Sequence, residues 1–152
     1  MATFTPGFRS VSRQIHSDHE SLIDELNELE GALDDLAGSS ALFAYRAAAE
    51  CVARCGQRLS QMLPEHFMRE ETLLFDIVAK VSSELMDFAR EMRSQHQALR
   101  GHLGRFCTAV QQLDEPPDRA LAVNAATESG RTLATELREH VLLEESELTG
   151  FL

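Results

Sequence analysis

The chain has 152 residues, 43% of them apolar, with no Trp, one Tyr and four Pro. That length suits one domain, 1–152, with a hydrophobic core of its own, and a Leu- and Ala-rich composition poor in Pro favours helix over strand. Lys and Arg number 14 against 25 Asp and Glu, a formal charge of -11, and such a surface repels phosphate backbones and anionic lipid heads, excluding nucleic-acid and membrane-surface roles.

Met1–Ser10 lacks a basic region followed by an apolar run, and no stretch approaches the roughly 20 apolar residues that span a bilayer. A cytoplasmic protein is the expectation. Cys51, Cys55 and Cys107 are an odd set without a C-x-x-C, so they predict neither a disulfide framework nor a zinc knuckle, and reduced thiols in a cytosol fit.

From Ser10 to Ala37 apolar residues recur at Ile15, Leu22, Leu26, Leu29, Leu33 and Leu36 in alternating steps of four and three, the period of a helix with one buried face. The gap in this stripe falls on His19. Gly38-Ser39-Ser40 then stops the pattern. From Ala41 the rhythm returns through Tyr45, Ala49, Val52, Gly56, Leu59 and Leu63, passes positions 66 and 70, and continues at Leu73 and Ile77. Those two positions are His66 and Glu70. Pro64 interrupts this run and predicts a kink or split just before them.

A third helix from about Ser83 follows Leu85, Ala89, Met92, position 96, Leu99, Leu103, Phe106, Val110 and Leu113, and the polar member is His96. Asp114-Glu115-Pro116-Pro117-Asp118 ends it and offers acidic residues to the next helix start. The fourth stripe runs through Val123, Ala126, Gly130, Leu133, Leu137, then His140 and Glu144, to about Leu148. Four helices with short connections predict an antiparallel, up-down-up-down four-helix bundle.

The pattern is duplicated. A lone His is followed 47 residues later by His-x-x-x-Glu (19 to 66), and again 44 residues later (96 to 140). Glu65-His66-Phe67-Met68-Arg69-Glu70-Glu71 and Glu139-His140-Val141-Leu142-Leu143-Glu144-Glu145 share the form Glu-His-x-x-x-Glu-Glu, which stacks His on the first Glu of the closing pair. Two similar hairpins about a pseudo-twofold axis set equivalent ligand sets opposite one another.

Six polar residues in register on apolar stripes need partners, since each buried polar group left unsatisfied costs about 1–3 kcal/mol. His19, His66, Glu70, His96, His140 and Glu144 are therefore the candidate metal ligands. Four imidazoles and two carboxylates suit two ions, each with two His and both carboxylates bridging. Donors of N and O without thiolate favour non-haem Fe, with Mn or Zn as alternatives. Each ion falls short of six ligands, leaving room for O₂, NO, water or an oxo bridge. His16 and His102, turned about 100° from the core direction, read as surface residues, and Glu71 and Glu145 as supporting or solvent groups. Tyr45, Cys51 and Cys55 lie too far along their helix to take part.

These motifs together resemble the hemerythrin-like, or HHE cation-binding, domains, which are four-helix bundles with a non-haem di-iron centre. The resemblance runs from Asp18-His19 through His66-x-x-x-Glu70 and Gln95-His96 to His140-x-x-x-Glu144. It implies His19 and His66 on one iron, His96 and His140 on the other, and Glu70 and Glu144 between them. The invertebrate oxygen carriers of the family have a further His four residues after the third-helix His, and a closing His-x-x-x-x-Asp. Here Arg100 and Glu144 stand instead, which points away from a dedicated oxygen carrier. Four His with two Glu look more like the bacterial di-iron proteins associated with iron-sulfur repair, which carry an N-terminal cysteine-containing domain as well. The expected function is binding of O₂, NO or peroxide in sensing, storage or stress protection. The alternatives are a di-iron redox or repair enzyme, and a protein-interaction module with a structural or sensory metal.

Overall fold

The computed structural model describes residues 6–148. Residues 1–5 of the Met1–Ser10 stretch and the last four positions of the 1–152 domain lie outside the described residues. The described chain is helical: α1 (Pro6–Gly38), α2 (Leu42–Arg69), a π-helical turn (Glu70–Leu74), α3 (Phe75–Ala79), α4 (Ser83–Gln111) and α5 (Arg119–Leu148). No strand occurs among the described residues, and no helix among them is long and apolar enough to cross a membrane.

The α2, π and α3 segments follow one another without a break, so four rods form the bundle. α1 packs on α2 and α5, and α4 packs on the same two, which closes the ring. The connections are short, so neighbours run antiparallel. The helix starts are local chemistry: the Ser82 side chain accepts from the Leu85 amide at 3.1 Å, and Asp118 Oδ1 accepts from the Leu121 amide at 3.1 Å. At the far end Tyr45 donates its hydroxyl to the Leu113 carbonyl at 2.5 Å, tying α2 to the turn after α4.

Two apolar clusters fill the interior. The larger runs from Leu22 to Leu36 on α1, Tyr45 to Phe67 on α2, Leu99 to Leu113 after the middle of α4, and Ala122 to Val141 on α5. The smaller gathers Phe8, Ile15, Leu74, Phe75, Val78, Leu85, Ala89, Met92 and Leu148 at the opposite end. In every helix the break between the two clusters falls at the polar positions of the stripe. A layer of His and Glu thus divides the core.

Three expectations change. α2 runs through Pro64 without splitting, and the irregularity comes after it, in the π turn at Glu70–Leu74. A π turn accommodates one extra residue, so the buried stripe resumes at Leu74 and Val78, whereas Leu73 is 46% exposed and Ile77 only partly buried. Towards the helix ends the buried residues are Ala48, Ala109 and Ala122, with Ala49, Val110 and Val123 partly buried beside them; for Ala48 and Ala122 this is the drift of about 20° per seven-residue repeat of a helix with 3.6 residues per turn. The shifted register is testable by thermal denaturation: Leu74→Ala should cost about 2–5 kcal/mol, and Leu73→Ala no more than about 0.5 kcal/mol. The reverse order would restore the uninterrupted α-helical register.

Candidate metal centre

All six stripe residues meet in the dividing layer, and none is more than 3% exposed. Their atoms form two quartets, His19, His66, Glu70 and Glu144, and Glu70, His96, His140 and Glu144, each with ligand atoms within 4.8 Å of one another. The two carboxylates belong to both. Glu70 Oε1 lies 2.5 Å from His66 Nε2 and 3.2 Å from His19 Nε2, while its Oε2 lies 2.9 Å from His96 Nε2. Glu144 mirrors this, with Oε1 at 2.8 Å from His140 Nε2 and Oε2 at 3.0 Å from His19 Nε2. Each carboxylate therefore turns one oxygen to each histidine pair, as a bridge between two ions must. The pairs match in shape, with ring centroids 4.8 Å apart in both and the planes inclined at 69° and 64°.

Every imidazole presents Nε2 to the centre and is held from outside through Nδ1. Asp18 faces His66 Nδ1 at 3.2 Å, Glu71 faces His96 at 2.9 Å, Gln95 faces His140 at 2.8 Å and Glu145 faces His19 at 2.6 Å. All four partners offer an oxygen acceptor, which assigns the proton to Nδ1 and leaves the Nε2 lone pair to a cation. Phe67 and Phe75 stack on His96, with centroids at 4.0 and 5.4 Å. Rings locked on several sides cannot turn away from the centre.

A test of fit lies in the atoms that protein hydrogen bonds leave over. His66 Nε2, Glu70 Oε2 and Glu144 Oε1 are buried without a partner in hydrogen-bond geometry, although charged or basic groups crowd within 3 Å of each. A cation at each quartet would satisfy all three at once, and the donor set suits Fe, Mn or Zn.

Electrostatics point the same way. Burial disfavours a charged His19, but its bonds to Glu144 and Glu70 outweigh burial and push its pKa up to about 10. His96 behaves alike, with Glu144 and Glu70 overcoming burial to push it up to about 9. Burial would raise Glu144, yet hydrogen bonds from His140, His19 and His96 hold it well below the carboxylate range. Protons and cations compete for the same lone pairs.

The outer residues divide as the stripe register predicts. Glu71 and Glu145 do not reach the centre but orient His96 and His19. His16 is a surface residue, its side chain 54% exposed, yet it reaches Glu145 at 3.0 Å. His102 stays off the core and bonds Arg105. Arg100, four residues after His96, points outward: its Nη2 is 3.2 Å from both oxygens of Glu71, and its guanidinium lies over Phe67. The partners that stripe analysis does not single out are Asp18 and Gln95. They stand one residue off the stripe, where polar side chains are ordinary, and their signal is position: each immediately precedes the lone His of its hairpin. One further acidic cluster among the described residues, Glu25, Glu28 and Cys55, already has a cation in it. Arg58 bonds Glu25 and Glu28 at 2.8 Å each, and burial pushes the Cys55 thiol up to about 11, keeping it protonated.

A bundle whose core layer presents two histidine-carboxylate quartets is a metal-binding four-helix protein in class. The sequence matches the family described as hemerythrin HHE cation binding domain over residues 10–152, and the chain belongs to that family. Comparison with curated proteins gave no match.

The raised histidines set the pH response of protein stripped by a chelator. Because His19 and His96 titrate above the ordinary 6.5 in the fold, their protonated forms stabilise it fully below that pH, and this contribution is lost as pH rises towards 9 to 10. The melting temperature of stripped protein should fall across that window. Zn(II) binding should release protons, read from the buffer dependence of its calorimetric enthalpy, and tighten with pH. A melting temperature that climbs from pH 7 to 9 would contradict this electrostatic account.

Proposed function

We propose that the chain is a non-haem di-iron protein that binds a small oxygen or nitrogen species, O₂, NO or peroxide, in sensing, storage or stress protection. The observation that carries the reading is the sharing of Glu70 and Glu144 between two histidine pairs. In this reading His19 and His66 hold one iron, His96 and His140 the other, and the two carboxylates bridge. Iron supplies the redox chemistry and the affinity for such ligands. The chain supplies two nitrogens and two carboxylate oxygens to each ion, fewer donors than an octahedral ion takes, so coordination stays open to an outside ligand.

The surroundings favour a ligand of few atoms. Beside His19 a cavity of about 10 Å³, lined by Ser12, Ile15, His16, Leu74, Glu145 and Leu148, has room for about one water-sized molecule. Apolar residues above and below, Leu63 and Phe67 on one side and Leu74, Phe75 and Met92 on the other, keep bulk water out. That dryness strengthens every electrostatic contact in the layer. Arg100 at the position of the oxygen carriers' extra histidine leaves both quartets with two His, which supports a reactive or sensing centre over a dedicated carrier.

Protein loaded with Fe(II) under anaerobic conditions should retain about two irons per chain after desalting. On exposure to O₂ or NO it should develop new near-ultraviolet and visible absorption. Glu144→Ala removes a donor common to both quartets, and should lower iron retention to one ion or none and abolish the spectral response. A reduced protein that carries two irons but responds to neither gas would sink the proposed ligand class.

A further inference from the structure

The outer residues form a closed circuit around the bundle. Asp18 on α1 holds His66 on α2; Glu71, in the π turn that follows α2, holds His96 on α4; Gln95 on α4 holds His140 on α5; and Glu145 on α5 holds His19 on α1. The pseudo-twofold that exchanges the hairpins relates Glu71 to Glu145 and Asp18 to Gln95. The first pair is chemically identical, but the second sets a carboxylate against a neutral amide.

We infer that the two metal positions are unequal, a tighter one at His19 and His66 and a looser, exchangeable one at His96 and His140, and that Gln95 is the positioning residue that sets the difference. This rests on the reading of the quartets as metal positions. A carboxylate accepting the Nδ1 proton adds electron density to the ring and strengthens Nε2 as a donor, and loss of such a partner typically costs 10–100-fold in metal affinity. Both rings of the first pair have that help. In the second pair only His96 has it, while His140 leans on an amide dipole, a weaker acceptor than a charged oxygen.

The charges further out do not remove the asymmetry. Among the described residues each half has one of its carboxylates paired with an arginine, Arg69 on Asp18 and Arg100 on Glu71, and Glu91 accepts from the Gln95 amide at 3.1 Å, which leaves that amide neutral. His16 on Glu145 is exposed and screened by solvent. A groove of about 380 Å³ runs past Gln95, His140, Leu99 and Leu143, on the outer side of His140 that Gln95 braces; the centre itself stays closed, with His96 and His140 no more than 2% exposed.

The test uses the full chain, stripped by a chelator and titrated with Zn(II), which has no redox chemistry to complicate the reading. It is followed by calorimetry and by nitrogen NMR of the histidine rings. The first equivalent should shift the His19 and His66 resonances and the second those of His96 and His140, with dissociation constants at least about tenfold apart. Gln95→Glu should tighten the second constant by about tenfold and merge the two steps. Gln95→Ala, whose folding circular dichroism checks, should loosen the second position and leave the first unchanged. Equal constants in the unaltered chain, filling of His96 and His140 first, or a Gln95→Glu chain with unchanged constants would each overturn the inference while leaving a two-metal centre intact. Failure to bind two ions would instead remove the reading on which it rests.

Discussion

The constraint on which this structure depends is the burial of two carboxylates, Glu70 and Glu144, in the middle of a bundle core with no exposure to solvent. Left alone, each would carry a desolvation penalty of several kcal/mol, more than one good hydrogen bond returns. Four imidazoles converge on them, four acceptors fix those imidazoles from outside, and the apolar core divides into separate clusters above and below. The π turn belongs to the same arrangement. It begins at Glu70 itself and advances the following residues by one position, so that Leu74 and Val78 face the core beyond the layer.

Much of this was legible in the sequence because an apolar stripe makes its exceptions conspicuous. His19, His66, Glu70, His96, His140 and Glu144 each interrupt an apolar stripe, and the same interruption on four helices at matched heights has one geometric outcome in an antiparallel bundle. The ends of α1, α4 and α5 were legible for the same reason, from Gly38, the Pro116-Pro117 pair and Asp118. The π turn was not, because a one-residue insertion in helical register has no side-chain signature: Leu73 and Leu74 are the same residue type, and only packing distinguishes them. Pro64 does not split its helix, since the continuous helix on both sides holds the chain through it. Asp18 and Gln95 entered only as neighbours of His19 and His96, because a polar residue one position off an apolar stripe is ordinary. The internal duplication held the clue, in the residue before each lone histidine.

Family membership and geometry meet at cation binding, and the residues refine what kind. Arg100 points away from the dividing layer, braces Glu71 and covers Phe67, so it touches His96 only through those two residues. Of the six histidines in the chain, four are buried in one layer and two stand off the core, one of them, His16, on the far side of Glu145. A histidine's role here follows from its height and face on the helix. The same rule separates Glu70 and Glu144 from their neighbours Glu71 and Glu145, which differ from them by one residue and about 100° of rotation.

The most direct test of a two-ion centre bridged by Glu70 and Glu144 is anomalous diffraction at the iron edge from crystals of iron-loaded protein. The account predicts two peaks per chain inside the dividing layer, about 3.5–4 Å apart as in other two-metal sites, one beside His19 and His66 and the other beside His96 and His140, with a carboxylate oxygen of each glutamate directed at both. A single peak, or iron only at surface carboxylates such as Glu25 and Glu28, would contradict it.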